Sequence, residues 1–108
     1  MAYKVFLTKD AERDLEDLHE FVFEHDSPVN AERLLDKIEA TLDKLADFPE
    51  RGKHPKELAA LGITDYREVF FKPYRFVYRV LGRRVYLYLI VDGRRDMRAL
   101  LQRRLLTR

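Results

Sequence analysis

Three stretches of this chain carry residues able to do chemistry, and all three are built on arginine. Tyr74-Arg75-Phe76-Val77-Tyr78-Arg79 alternates ring or aliphatic side chains with guanidinium groups. Arg84-Val85-Tyr86-Leu87-Tyr88 repeats the alternation with tyrosine, and Gly93-Arg94-Arg95-Asp96-Met97-Arg98 gathers three more cations behind a glycine. A guanidinium binds a phosphate or carboxylate through two parallel hydrogen bonds, and a tyrosine ring stacks on a base. On strands, period-two alternation sets Arg75 and Arg79 on one face with Tyr86 and Tyr88, and Arg67 is able to join them. Such a face suits nucleic acid. It equally suits an acidic amphipathic peptide, since Tyr and Arg are common interface anchors. A third possibility is a solvated face whose arginines lie over tyrosine rings.

Other chemistries are missing. The chain has no cysteine, which excludes disulfides, thiolate catalysis and cysteine-based zinc sites. Ser27 is the one serine and is placed as a helix cap, so a serine hydrolase is not expected. His19, His25 and His54 all fall outside the arginine-rich segment, and none is spaced as a metal pair. The glycines are too scattered for a phosphate loop. No cofactor and no metal are expected.

The elements that must position the arginines follow from periodicity. Tyr3–Thr8 reads as a strand. Thr8 caps a helix carrying Ala11, Leu15, Leu18 and Val22 on one stripe, with Asp10 and Glu12 in its first turn. Ser27-Pro28 starts a second helix, with Ala31, Leu34, Leu35, Ile38, Leu42 and Leu45 on its stripe, and Phe48-Pro49 ends it. Pro55–Gly62 reads as one or two helical turns. Asp65–Lys72, Tyr74–Leu81 and Arg84–Val91 read as strands, with a break at Pro73 and a tight turn at Gly82. In the last strand Val85, Leu87, Leu89 and Val91 are expected on the core face. Asp96 caps a final short helix bearing Met97, Leu100, Leu101 and Leu105, with Arg103, Arg104 and Arg108 set against its negative end. The expected fold is one α+β domain over residues 1–108. An N-terminal strand and an antiparallel helical hairpin pack on a mainly antiparallel four-stranded sheet, followed by a short C-terminal helix.

Charge sharpens this reading. The formal net charge is only +2, from 21 basic and 19 acidic residues. Residues 1–54 hold 8 basic and 14 acidic residues, and residues 55–108 hold 13 and 5. A chain so polarised points to an acidic partner, either nucleic acid or protein. At 46% hydrophobic residues it is long enough and apolar enough to bury a core. The longest apolar run, Val85–Val91, is far short of the ~20 residues of a membrane helix. The start Met1-Ala2-Tyr3-Lys4 leads into no secretory signal. A cytoplasmic protein without membrane partners is therefore expected.

Asp26-Ser27-Pro28, Phe48-Pro49-Glu50-Arg51-Gly52, Asp65-Tyr66-Arg67-Glu68, Pro73-Tyr74-Arg75-Phe76-Val77-Tyr78-Arg79 and Asp92-Gly93-Arg94-Arg95-Asp96 together resemble the ParE/RelE superfamily of bacterial type II toxins. The resemblance spans nearly the whole chain and is strongest to the ParE branch, often labelled plasmid stabilisation proteins. It implies the fold described above and a cognate antitoxin whose acidic segment wraps the toxin. Arg75, Arg79, Tyr86, Tyr88, Arg94, Arg95 and Arg98 are the residues expected to meet antitoxin or target. It implies one of two targets, DNA gyrase for ParE-like members or mRNA on the ribosome for RelE-like nucleases. By the resemblance, a nuclease would use Arg67, Arg75 and Arg95. Val69 stands where the nucleases carry a second cation, Leu101 where some carry a tyrosine, and Asp92 where others carry a histidine. Metal-free RNA cleavage needs a base, an acid and cations. Only the cations are present, so gyrase inhibition is the expected activity. The alternatives are a ribosome-dependent endoribonuclease and a non-toxic binding module on the same scaffold.

Overall fold

The computed structural model describes residues 3–106. Met1, Ala2, Thr107 and Arg108 lie outside the described residues, and with them the expectation for Arg108. The chain runs β1 (Lys4–Leu7), α1 (Lys9–His25), α2 (Pro28–Asp47), α3 (Lys56–Ala59), β2 (Arg67–Phe71), β3 (Tyr74–Leu81), β4 (Arg84–Asp92) and α4 (Met97–Leu101). A π-helical turn, Gln102–Leu106, continues α4. The sheet order is β1-β4-β3-β2, with β1 parallel to β4 and the other pairs antiparallel.

The helix starts are set locally. Thr8 Oγ1 accepts from the Ala11 amide at 3.1 Å, Ser27 Oγ from Asn30 at 3.0 Å, and Asp96 Oδ1 from Ala99 at 3.2 Å. Pro28 occupies the first turn of α2, where a missing N–H costs nothing. The turn between β3 and β4 contains Gly82 at φ +61, a conformation that favours glycine.

The α1–α2 hairpin covers one face of the sheet. Ala11, Leu34, Ile38 and Leu45 bury against Phe76, Tyr78, Val85, Leu87 and Ile90. The second face is not left open as expected. Leu58 of α3 and Met97, Leu100 and Leu101 of α4 bury there against Val77, Leu89 and Val91. The cause is a β-bulge. Val77 pairs with Leu89 but Tyr78 pairs with Leu87, so Tyr88 is an extra residue in β4. Beyond it the alternation inverts. Ile90 turns to the hairpin, while Leu89 and Val91 turn away from it. The expectation that Val85, Leu87, Leu89 and Val91 share one face is thereby corrected.

β1 ends at Leu7, leaving the flank of β4 beyond Leu87 without a neighbouring strand. Side chains take over. Asp14 of α1 accepts from the Ile90 amide at 3.1 Å, and Arg104 donates to the Tyr88 carbonyl at 3.2 Å and to Asp14 at 2.8 Å. Arg104 thus pins the C-terminal turn to α1 and β4, a more specific role than opposing a helix dipole.

Candidate functional site

The bulge divides the second face of the sheet into a covered half and an open half. Arg75 lies in the covered half. Its side chain is 6% exposed, and both forked edges of its guanidinium are occupied by carboxylates. Nη1 and Nη2 each donate to Glu57 at 2.8 Å, and Nε donates to Glu68 at 2.6 Å. The Phe70 ring stands 5.7 Å from the guanidinium carbon. Gly93 packs on the arginine stem so closely that a Cβ there would come within 2.9 Å of Cδ. Arg75 was expected on an exposed surface facing a partner. The structure corrects that, because α3 brings Glu57 over the strand and closes the site.

The hydrogen bonds from Arg75 hold the Glu57 carboxyl at about 2, well below its ordinary 4.5. Glu57 therefore contributes stability that is complete above pH ~4.5 and is lost as pH falls toward ~2, amounting to no more than about 3 kcal/mol. Acid unfolding followed by circular dichroism should show this loss in the wild type. Glu57→Gln should flatten that part of the profile, and an unchanged slope would refute the assignment.

Arg67 is also engaged. It donates to the Gly52 carbonyl at 2.8 Å and to that of Glu50 at 3.3 Å. The same loop is held from beneath by Tyr78, which is fully buried. The Tyr78 hydroxyl donates to the Pro49 carbonyl at 2.8 Å and accepts from the Gly52 amide at 3.0 Å. Burial raises the Tyr78 phenol above its ordinary value, so the hydroxyl remains a donor. The Phe48–Gly52 segment is thus a structural fastening, with Arg67 and Tyr78 as its two pins.

Near the other end of the sheet the face is open and aromatic. Arg79 lies over the Tyr66 ring at 5.8 Å, and Tyr66 meets Tyr88 edge-on at 5.3 Å. Tyr86 stacks on Phe6 at 5.5 Å, with Arg84 5.9 Å from the Phe6 centroid. The structure brings Arg79, Tyr86 and Tyr88 to this face, as alternation predicts. It keeps Arg84 on the same side as Tyr86 and adds Phe6, while Tyr66, 9% exposed, belongs to the second core and meets Arg79 and Tyr88 from there. The signal for Phe6 was its place in β1, out of phase with Tyr3, Val5 and Leu7, which turn to the core.

Arg94, Arg95 and Arg98 lie in the loop after β4 and at the start of α4, and all three are exposed. Arg94 folds back on Asp92, its Nε donating at 2.9 Å, which holds the Asp92 carboxyl at about 2. The three arginines a nuclease would use do not form one free cluster. Arg67 binds carbonyls and Arg75 binds carboxylates, and only Arg95 is unengaged among the described residues. The described residues contain no group of three or more histidine or carboxylate side chains placed to hold a metal ion. No described helix is long and apolar enough to cross a membrane.

Comparison with known proteins supplies the family context. A family model described as the ParE toxin of type II toxin-antitoxin system, parDE, matches residues 5–97. A structure of the chromosomal ParDE TA system from P. aeruginosa is similar at a TM-score of 0.70 and 17% identity, covering 84% of this chain and 96% of that one. The RelBE2 toxin-antitoxin complex from Mycobacterium tuberculosis gives a TM-score of 0.59 at 23% identity, covering 85% and 99%. A mutant of the E. coli toxin RelE in the free state gives 0.59 at 20% identity, covering 93% of each chain. No curated protein matches by sequence.

Proposed function

The chain belongs to the ParE toxin family of type II toxin–antitoxin systems, and on that premise we propose that it inhibits DNA gyrase and is neutralised by a cognate acidic antitoxin. The observation that carries this reading over RNA cleavage is the state of Arg75. A guanidinium that stabilises a phosphorane must be free to meet it, and this one is bound by two carboxylates. Arg67 is likewise committed to carbonyls. The remaining open surface, Arg79 and Arg84 among Phe6, Tyr86 and Tyr88, has the composition of a protein-binding face. We assign it to the acidic antitoxin, with the exposed Arg94, Arg95 and Arg98 as further contacts. A gyrase target places the protein in the cytoplasm.

Supercoiling by purified gyrase in the presence of micromolar toxin tests the reading. Inhibition with trapped cleavage complexes is expected, reversed by antitoxin. Arg79→Glu should require more antitoxin for the same reversal, because the anchor becomes repulsive. Undisturbed supercoiling, together with new 5′ ends on translated messages after induction, would replace gyrase by mRNA as the target.

A further inference from the structure

Above Arg75 the surface opens into a cleft of about 390 Å³. Lys53, His54 and Lys56 stand on its walls, and Phe70 forms one side with the Lys53 ammonium 5.4 Å from its ring. Phe70 is 52% exposed. Cations around an accessible aromatic ring, with an arginine at the floor, make a composition suited to a single-stranded nucleic acid. The floor contradicts it. A guanidinium offers an oxyanion two forked edges, Nε/Nη2 and Nη1/Nη2. Glu68 holds the first and Glu57 the second. One arginine and two carboxylates leave a formal charge of −1 where a lone arginine would present +1. The carboxylates cannot swing away freely. Glu68 is 3% exposed within β2, and Glu57 sits on α3 beside Leu58, which is 2% exposed in the second core.

We propose that Glu57 and Glu68 are specificity determinants that keep a nucleic-acid phosphate from binding at Arg75. The inference rests on the reading of this chain as a toxin without nuclease chemistry, and it names the residues that enforce that property. The cleft retains its cationic rim while its floor repels a phosphodiester.

The test is fluorescence anisotropy with a fluorescein-labelled single-stranded oligoribonucleotide of mixed sequence. Glu57→Gln/Glu68→Gln keeps side-chain size and removes both negative charges, leaving neutral amide acceptors that a phosphate can displace from the guanidinium. It should bind the oligonucleotide about tenfold or more tighter than wild type, with a steeper salt dependence from the added phosphate contact. Adding Arg75→Gln, which leaves three neutral side chains of similar size, should abolish the gain. Equal affinity of wild type and a folded double variant would overturn the proposal. So would a gain that survives Arg75→Gln, since it would then belong to the lysines. If the double variant does not fold, Glu57→Gln alone carries the test, with a gain of about threefold expected and no gain refuting it. RNA cleavage by the wild type would defeat the underlying reading instead, and it is scored separately on a gel.

Discussion

Arg75→Ala is expected to lower the free energy of unfolding by about 3–5 kcal/mol, a large part of what a domain of this size possesses. The change removes one cation and strands two carboxylates that the fold cannot hydrate. Glu68 is 3% exposed, and Glu57 is held over the sheet by α3. The magnitude measures the uncompensated charge left behind, not the worth of the ion pair. For that reason Arg75→Met combined with Glu57→Gln and Glu68→Gln should recover most of the loss. Urea denaturation of the three proteins checks this, and a loss below 1 kcal/mol for Arg75→Ala would show that water reaches the network. A practical consequence concerns partner mapping. A charge reversal at Arg75 would weaken an antitoxin complex by unfolding the toxin, so Arg79 is the informative position on β3.

Gly52→Ala is expected to cost about 3 kcal/mol. A Cβ at this position would stand 2.5 Å from the Tyr78 hydroxyl and 2.7 Å from the Glu68 carbonyl. Neither neighbour is able to retreat easily. The carbonyl is backbone and accepts from the Lys53 amide, and the phenol is buried between the Pro49 carbonyl and the Gly52 amide. The strain of overpacking adds to weakened buried hydrogen bonds. Thermal unfolding should show the loss, and Tyr78→Phe in the Gly52→Ala background should relieve part of it by removing the oxygen. A Gly52→Ala protein as stable as wild type would mean that the Phe48–Gly52 loop moves without cost. The requirement for glycine here comes from close approach and not from an unusual φ, which is why nothing in the local sequence announces it.

The legible parts of the fold were those whose causes lie within a few residues. Thr8, Ser27-Pro28 and Asp96 cap helices because a short side chain reaches an amide three positions on, and Gly82 makes its turn alone. The illegible parts depended on partners far along the chain. Leu89-Ile90-Val91 did carry a clue, since three consecutive apolar residues fit a strand covered on both faces better than one covered on a single face. Period-two alternation from Val85 masked it until the register showed Tyr88 as an extra residue. The candidate site suffered from the same bulge. Arg79, Tyr86 and Tyr88 were found on the open side because they lie on its near side or within it. Arg75 was misplaced as exposed because α3, which brings Glu57 over it, packs on the face where Leu89 and Val91 had not been expected.

By itself, then, the sequence determined the α+β order of elements, the caps and turns that bound them, the polarised charge and the family resemblance. Each rests on short-range physics or on residue identity. Only the tertiary structure decided which arginines are free. A guanidinium looks the same in a sequence whether it faces solvent or two carboxylates. Glu68 lies 7 residues from Arg75 and Glu57 lies 18 away, and the sheet and α3 bring them together around one buried side chain.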